Sequence, residues 1–421
     1  MKKTRIGVAA VCLLLVFAMI FSFAGCAVEV QAADLMNGIN AKKVSGKAAD
    51  DRFINAQAEL AVKLFKASVE KSENESVLIS PLSIQLALAM TANGANGQTK
   101  AEMEKLLGGD IPLEELNAYL YTYINSLPSN EKYKLELANS IWFRDDAERL
   151  TVEKNFLQTN ADYYGAQVYK APFDQQTVQD INNWVNEHTD GMIEKIIDEI
   201  EPDEVLHLIN ALAFDAKWET PYERHSINDG IFNSISGEER KVKMMYSEEY
   251  KYIETDNATG FIKNYKDGKY AFAALLPNED VDLYDYIASL TGEGLKRTLD
   301  NAEEEAVNAA IPKFSYDYSL LMNDILAELG MPTAFTPNAD FYKMGTSTVG
   351  NIFISSVLHK TYIEVDENGT KAAAITDVTM TDKAALEFGK EVILDRPFVY
   401  MIIDNSTNLP IFIGTVTDIQ Q

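Results

Sequence analysis

The sequence predicts an α+β fold in which helices come first and strands predominate later. Apolar residues recur at helical spacing between residues 53 and 107, whereas runs typical of strands become frequent from residue 133 onward. No repeat, Pro-rich linker or low-complexity block divides residues 53–421. This order indicates large mixed or antiparallel sheets rather than alternating βαβ units, and we expect one domain.

Helices are predicted where apolar residues recur with helical spacing, at 53–69, 83–93, 99–107, 179–200 and 320–329. Residues 83–93 are almost wholly apolar, so we expect that helix to be buried. Gly108-Gly109 ends the third helix, and Gly191 breaks the fourth.

Strands are predicted from alternating or continuous apolar runs, at 133–143, 205–218, 271–276, 362–366, 398–403 and 409–416. Residues 241–253 suggest a hairpin. Residues 405–408 form the turn between the last two strands. The later part of the chain is therefore mostly β-structure.

The first 25 residues are typical of a signal peptide. Three basic residues precede an apolar stretch, and Phe23-Ala24-Gly25-Cys26 resembles a bacterial lipobox. We therefore expect a lipoprotein-type signal peptide at 1–25, lipidation of Cys26 and a cell-surface location. Ordinary secretion after a cut at Ala32 and a retained signal anchor are the alternatives, and all three place the domain outside the cytoplasm.

Residues 26–52 mix Ala, Lys, Gly and Asp without periodicity, so we predict a tether followed by a folded domain at 53–421. The only cysteines are Cys12 and Cys26, which leaves no pair for a disulfide inside that domain. Its stability must therefore come from burial in a large core.

Acidic side chains greatly outnumber basic ones, with 64 Asp and Glu against 37 Lys and Arg and a net charge of −27. Such a surface repels nucleic-acid phosphates and anionic lipid headgroups. We predict no nucleic-acid partner, membrane contact only through a lipid anchor, and a monomer.

Patterns for metal, cofactor or nucleophilic chemistry are nearly absent. The four histidines show no HExxH spacing, and the sequence has neither a calcium loop nor a Gly-rich phosphate cradle. Ser68 and Lys71 match SxxK, a serine-hydrolase pattern, but its companion motifs do not appear. We predict no metal, no cofactor and no catalytic residue, and an SxxK hydrolase is the alternative.

The segment 367–386 is long for a loop between two strands and has no helix pattern, which favours a functional loop. From residue 370 to 381 one parity is small or apolar, and the other holds every charge. Because alternate residues of a strand face opposite sides, this segment is suited to become a strand with one buried face. An exposed ribbon or a linker that alternates by accident is the alternative.

Short motifs follow one another in a characteristic order over residues 53–418. They include Val77-Leu-Ile-Ser-Pro-Leu-Ser-Ile84 and Leu137-Ala-Asn-Ser-Ile-Trp142, and they continue at 181–185, 209–214 running to 217–218, 275–277, 311–314, 359–360, 366–370, 396–398 and 410–414. In these motifs the chain resembles the serpin family, and their joint order and spacing are highly specific.

The resemblance implies a serpin fold with three β-sheets, about eight to nine helices and an exposed reactive-centre loop. It also implies a serine-peptidase inhibitor rather than an enzyme. After a peptidase cleaves the loop and is held as the acyl-enzyme, the loop inserts into the central sheet as an extra strand and traps it. A non-inhibitory binding protein on the same fold is the alternative.

Three groups of residues acquire roles from matching the family motifs. The hinge of the loop is matched by Glu367, Gly369, Thr370, Ala372, Ala373 and Ala374. The shutter, a hydrogen-bonded cluster beneath the opening strands, is matched by Ser80, Ser83, Asn210 and His359. The breach, where insertion begins, is matched by Trp218, Lys313 and Glu367.

The scissile bond is placed by its distance from the hinge, because insertion requires a fixed length of loop. The seventeenth residue from Glu367 is Lys383, which gives Lys383–Ala384 and a trypsin-like target. Counting backward from Pro397 by the spacing of the serpin family gives Leu386–Glu387 instead, which suits a chymotrypsin- or elastase-like peptidase. Met380 and Thr381 are the remaining candidates.

Overall fold

The computed structural model describes residues 30–127, 133–370 and 389–420. These ranges contain nine helices: α1 (Asp51–Lys71), α2 (Pro81–Ala92), α3 (Gly97–Gly108), α4 (Leu113–Ser126), α5 (Lys154–Tyr164), α6 (Gln175–His188), α7 (Leu283–Ser289), α8 (Gly292–Asp300) and α9 (Asn323–Glu328). None of these described helices is long and apolar enough to cross a membrane.

The described ranges also contain nineteen strands: β1 (Ala33–Asp34), β2 (Leu78–Ile79), β3 (Tyr133–Arg144), β4 (Leu150–Val152), β5 (Gln167–Ala171), β6 (Leu206–Lys217), β7 (Ile227–Asn233), β8 (Glu239–Glu249), β9 (Tyr252–Glu254), β10 (Ala258–Asn264), β11 (Tyr270–Pro277), β12 (Val307–Pro312), β13 (Phe314–Leu321), β14 (Gly345–Ser347), β15 (Ser356–Val365), β16 (Gly369–Thr370), β17 (Lys390–Ile393), β18 (Phe398–Asp404) and β19 (Leu409–Val416). Helices concentrate early and strands late, which confirms the predicted α+β class.

Several sequence predictions fall outside the described residues and stay predictions. They are the signal peptide at 1–25, lipidation of Cys26, the hinge residues Ala372, Ala373 and Ala374, and the candidate bonds Lys383–Ala384 and Leu386–Glu387.

The strands form three large sheets and one two-stranded sheet. Sheet A has the strand order β1-β5-β3-β6-β16-β15-β13, sheet B the order β2-β19-β18-β11-β10-β9, and sheet C the order β17-β12-β8-β7. β4 pairs with β14 separately from these sheets. The three sheets expected from the family motifs are therefore present, with one small sheet in addition.

Sheet A contains a fork between two of its long strands. β6 and β15 run parallel and pair directly over residues 207–212 and 356–361. Beyond these pairs the two-residue strand β16 lies between them, with Thr370 antiparallel to Ala216 of β6 and to Val365 of β15. The sheet is thus closed at one end of the fork and held open by a short strand at the other.

Helix α2 is buried along its whole length, as its almost wholly apolar sequence predicts. Ser80 caps the helix, because its Oγ accepts a hydrogen bond from the Ser83 N–H at 3.2 Å. Pro81 occupies the first turn, where its missing N–H leaves no bond unmade. α2 packs against β3 and β6, so its N-terminal residues reach sheet A at the fork.

The helix predicted at 179–200 has different bounds in the structure. α6 begins earlier, at Gln175, and ends at His188, before Gly191 with its φ of +74°. Residues 192–200 are not helical, because Asn182 binds their backbone: its Oδ1 accepts from the N–H groups of Ile196 and Ile197 at 2.8 and 3.1 Å. A side chain replaces the helical hydrogen bonds there, and apolar spacing does not reveal such a substitution.

Two further local predictions are wrong because pairing between distant strands overrides the local pattern. The hairpin predicted at 241–253 is split between sheets: β8 pairs with β7 and β12 in sheet C, whereas β9 pairs with β10 in sheet B. Residues 320–321 end strand β13 and do not begin a helix, and α9 starts at Asn323.

Residues 30–50 of the predicted tether lie against the domain. β1 pairs with β5 at the edge of sheet A, and the N–H groups of Gln31 and Ala32 donate to Asp180 Oδ2 at 3.0 and 2.7 Å. These contacts use backbone groups that every residue type except proline provides in full. Composition, from which the tether was predicted, therefore carries no information about them.

Candidate functional site

The four predicted shutter residues lie together across the closed part of the fork. Asn210 of β6 and His359 of β15 face each other in register, and His359 Nδ1–H donates to Asn210 Oδ1. His359 Nε2 accepts from the Ser80 N–H at 3.1 Å, and Asn210 Nδ2 donates to Ser83 Oγ at 2.5 Å. All four residues are fully buried. The cluster ties helix α2 to the two strands of the fork.

Burial keeps the His359 ring uncharged, because it lowers the pKa of His359 to about 3. A neutral imidazole has one donor and one acceptor nitrogen, and the cluster uses both. A protonated ring would turn Nε2 into a second donor facing the Ser80 N–H. Burial therefore favours the neutral ring, and the hydrogen-bond partners select the tautomer with its proton on Nδ1.

Asn139 of β3 completes the shutter, although its place in the family motif at 137–142 predicted no role for it. It faces Asn210 in register on the other side of β6, and its Oδ1 accepts from Asn210 Nδ2 and, at 3.3 Å, from Ser83 Oγ. The only sequence signal was a polar residue inside the family motif at 137–142. The register between β3 and β6, which brings it to Asn210, is a long-range property.

The first described hinge residues form β16 inside sheet A. A Cβ atom on Gly369 would overlap the carbonyl oxygen of Ala216, so the close approach of β6 requires glycine here. The φ of Gly369 is not positive, so an unusual backbone conformation does not require glycine here. Close packing, rather than an unusual backbone conformation, accounts for Gly369.

Thr370 faces the interior, as the alternation of the loop predicts. It is only 1% exposed, and its Oγ1 hydrogen-bonds the hydroxyl of Tyr265. The Tyr265 ring in turn stacks on Trp218, with centroids 4.5 Å apart and planes at 9°. A small side chain at position 370 therefore fits beside an aromatic pair of which the family motifs include only Trp218.

Trp218 of the predicted breach holds the backbone turn that leads into β16. Its N–H donates to the Asn368 carbonyl at 2.8 Å, and its indole Nε1–H donates to the Asp366 carbonyl at 2.9 Å. The Tyr222 N–H donates to the Glu367 carbonyl at 2.9 Å. Three donors from residues 218–222 thus fix three consecutive carbonyls of the hinge turn.

Lys313 and Glu367, the other breach residues, form an ion pair at the same turn. Each side chain is about one-third exposed. Partial burial is the largest single influence on Glu367 and opposes its ionisation, but the hydrogen bond from Lys313, a backbone hydrogen bond and the charge of Lys313 together outweigh it, so the pKa of Glu367 lies below its ordinary value. The structure therefore brings all three predicted breach residues together.

Comparison with known proteins identifies the group to which this arrangement belongs. A family model described as "Serpin (serine protease inhibitor)" matches residues 55–419. The chain belongs to the serpin family. Its family is one of peptidase inhibitors, not enzymes.

Curated relatives agree with this assignment. An uncharacterized serpin-like protein of Thermococcus kodakarensis is 30% identical over 372 residues, which cover 86% of this chain and 84% of the relative. A serine protease inhibitor of Cyanea capillata is 29% identical over 374 residues, which cover 86% of this chain and 97% of the relative.

Solved serpin structures share the fold. The thermophilic serpin tengpin in its native state has a TM-score of 0.89 at 52% identity, covering 93% of this chain and all of tengpin. Tengpin in its latent state gives a TM-score of 0.79 at 51% identity, covering 89% of this chain and all of tengpin. Human thyroxine-binding globulin in complex with its ligand gives 0.79 at 25% identity, with coverages of 88% and 99%.

In this serpin the SxxK pair does not assemble into a hydrolase site. Ser68 is fully buried within α1, and its hydroxyl oxygen has no hydrogen-bond partner among the described residues. Lys71 points to the surface, where its Nζ binds Glu328 at 3.0 Å. A nucleophile needs access to substrate and a nearby base, and this serine has neither.

Proposed function

We propose that this serpin inhibits serine peptidases as a suicide substrate, with the cleaved reactive-centre loop becoming a new strand between β6 and β15. The proposal rests on one observation, the position of β16. Gly369 and Thr370 lie at the open end of the fork in antiparallel register with the strands beside them. A loop that continues in this direction enters the fork without changing register.

Continued insertion has a favourable balance of contacts. It breaks the six parallel residue pairs that join β6 to β15 and replaces them with antiparallel pairs on both sides of the new strand. Antiparallel pairing is slightly more stable per residue than parallel pairing, and one face of the added strand is buried. The TM-score to native tengpin, 0.89, is higher than that to latent tengpin, 0.79. This supports the proposal that insertion, with its stabilising contacts, is still to come in this chain.

A non-inhibitory binding role on the same fold is the second candidate, since thyroxine-binding globulin shares the architecture. Such a role would be favoured by a charged or bulky residue facing inward at the hinge. Thr370 is small, buried and hydrogen-bonded instead. The hinge therefore favours inhibition.

We further propose a trypsin-like target cleaving at Lys383–Ala384, with Leu386–Glu387 and a chymotrypsin- or elastase-like target as the alternative. The lysine stands at the distance from Glu367 that insertion requires. Export through the signal at 1–25, with a lipid anchor on Cys26, would place the inhibitor where foreign or secreted peptidases act. The exported protein would be a monomer.

The test is to mix the mature protein with trypsin, chymotrypsin and elastase separately. We expect an SDS-stable complex with trypsin. Mass spectrometry should show that the released C-terminal peptide begins at Ala384. A peptide that begins at Glu387 would transfer the scissile bond to Leu386. Complete cleavage by all three peptidases without any complex would refute inhibition.

A further inference from the structure

A buried ion pair lies directly beneath the breach, between Lys263 of β10 and Glu249 at the end of β8. Lys263 Nζ is 2.7 Å from Glu249 Oε1, and their side chains are only 3% and 12% exposed. Ser247 Oγ donates to the same carboxylate oxygen at 2.7 Å. Because a buried ion pair often stabilises a fold no better than apolar residues of similar size, its presence here suggests a role in positioning.

Lys263 also faces the side chains of the two aromatic residues that bind the hinge turn. Its Nζ lies 4.5 Å from the ring centroid of Tyr222 and 5.5 Å from that of Trp218. A cation attracts the face of an aromatic ring, and the attraction is stronger away from water. The lysine therefore holds both rings from below.

Those two residues are the ends of the segment 218–222, which donates three hydrogen bonds to the carbonyls of residues 366–368. A chain of direct contacts thus runs from Glu249 through Lys263 and the aromatic rings to the hinge. The family motifs pointed to Trp218, Lys313 and Glu367 and gave no role to Lys263 or Glu249. The link is visible only once β8 and β10 are folded against residues 218–222.

We infer that Lys263, held by Glu249, is a positioning residue for loop insertion. It keeps the segment 218–222 rigid, so the hinge turn stays fixed while the loop beyond Thr370 enters the fork. The inference rests on the proposed function, in which insertion competes with hydrolysis of the acyl-enzyme. If the turn is loose, insertion becomes slower than hydrolysis of the acyl-enzyme more often. More serpin is then released in cleaved form, and less peptidase is trapped.

The experiment compares Lys263→Met, which keeps the length of the side chain without its charge, with Lys263→Arg, which restores the cation. The control is Lys170→Met in β5, next to the edge strand β1 of sheet A, where Lys170 Nζ pairs with Asp145 Oδ2 at 2.6 Å. We expect Lys263→Met to slow insertion about tenfold, equivalent to about 1.4 kcal/mol in the barrier, and to raise the stoichiometry of inhibition. Lys263→Arg and Lys170→Met should keep the parent rate.

Insertion is measured in two ways, so that failure of the inference and failure of the proposed function give different results. One is the stoichiometry of inhibition of trypsin. The other is the change in tryptophan fluorescence after the loop is nicked by a peptidase that the serpin does not trap, since Trp218 adjoins the inserting strand. Slow insertion of Lys263→Met after nicking supports the inference even if the parent protein traps no peptidase. Parent-like insertion by Lys263→Met overturns it, whatever the outcome with trypsin.

Discussion

The shutter and the breach hold the same two strands by different chemistry. In the shutter, Asn210 and His359 meet across the paired strands through side-chain hydrogen bonds in full burial. In the breach, aromatic residues bind the backbone of a turn, and the Lys313–Glu367 pair is about one-third exposed. The difference indicates different roles. The shutter joins β6 and β15, which must separate during insertion, whereas the breach fixes the turn at which that separation begins.

This difference predicts opposite fates during insertion. A new strand between β6 and β15 must separate Asn210 from His359, because they face each other in the register that is lost. The turn at 366–368 lies before β16 and need not move. Changes in the shutter should therefore act on the barrier and on stability, whereas changes at the hinge and breach should act on how insertion begins.

The largest expected effect is that of Thr370→Arg at the open end of the fork. Thr370 is buried in β16, where its hydroxyl bonds that of Tyr265, so arginine would place a charge in a buried site and oppose extension of β16 into the fork. We expect the variant to fold and to be cleaved by trypsin at the parent rate without forming an SDS-stable complex. Thr370→Ser, which keeps the hydroxyl, is the control and should form the complex normally. Unchanged complex formation by Thr370→Arg would remove the argument from alternation.

The next largest effect is expected at the closed end, from Asn210→Ala. The change removes the partner of His359 and of Ser83 together and leaves buried polar atoms unpaired, which costs about 3 kcal/mol in the free energy of unfolding. Urea unfolding monitored by fluorescence measures this loss. Asn182→Ala, which breaks side-chain bonds to residues 196–197 away from the fork, is the control for loss of a buried amide. It should leave the rate of loop insertion unchanged, whereas Asn210→Ala should raise it.

The two clusters also differ in how far the sequence predicts them. All five shutter residues lie inside linear family motifs, and four of them were predicted; Asn139 was missed because only the register between β3 and β6 brings it to Asn210. The breach depends on Tyr222, Tyr265 and Lys263, which stand outside those motifs and meet the hinge only through strand packing.

The same distinction explains the errors in local structure. Long apolar runs such as β6 and α2 were predicted closely, because burial determines both their pattern and their position. The predictions of a helix at 192–200 and of a hairpin at 241–253 were wrong. The side chain of Asn182 decides the first segment, and the pairing of distant strands decides the second. The local sequence pattern predicts which segments are buried, but it does not predict their hydrogen-bond and strand partners.

Acidification should weaken the shutter at a higher pH than it weakens the Lys313–Glu367 pair of the breach. The pKa of His359 is about 3 in the folded protein against 6.5 for a free side chain, so below pH 6.5 only the unfolded state takes up the proton. Stability should therefore fall by about 1.4 kcal/mol per pH unit between pH 6.5 and 3. Glu367, whose pKa is lowered, contributes stability that is lost only as the pH falls below about 4.5.

The window from pH 6.5 to 4.5 thus reports on the shutter and not on the Lys313–Glu367 pair. Urea unfolding at a series of pH values should show the decline in the parent protein and its absence in His359→Gln. Lys313→Met should retain the decline in this window. An equal slope in the parent protein and His359→Gln would contradict the assignment to His359.

The smallest effect, and the sharpest test of the breach, is expected from Trp218→Phe. Phenylalanine keeps an aromatic ring to stack on Tyr265 and to face Lys263, but it lacks the indole N–H that binds the Asp366 carbonyl. Loss of that single hydrogen bond should cost about 1 kcal/mol in the free energy of unfolding, less than Asn210→Ala. Because the backbone N–H of residue 218 still donates to Asn368, the turn should stay in place and the stoichiometry of inhibition should rise only slightly. A loss of inhibition as large as that of Thr370→Arg would mean that the indole N–H, and not the buried Lys263–Glu249 pair, holds the hinge.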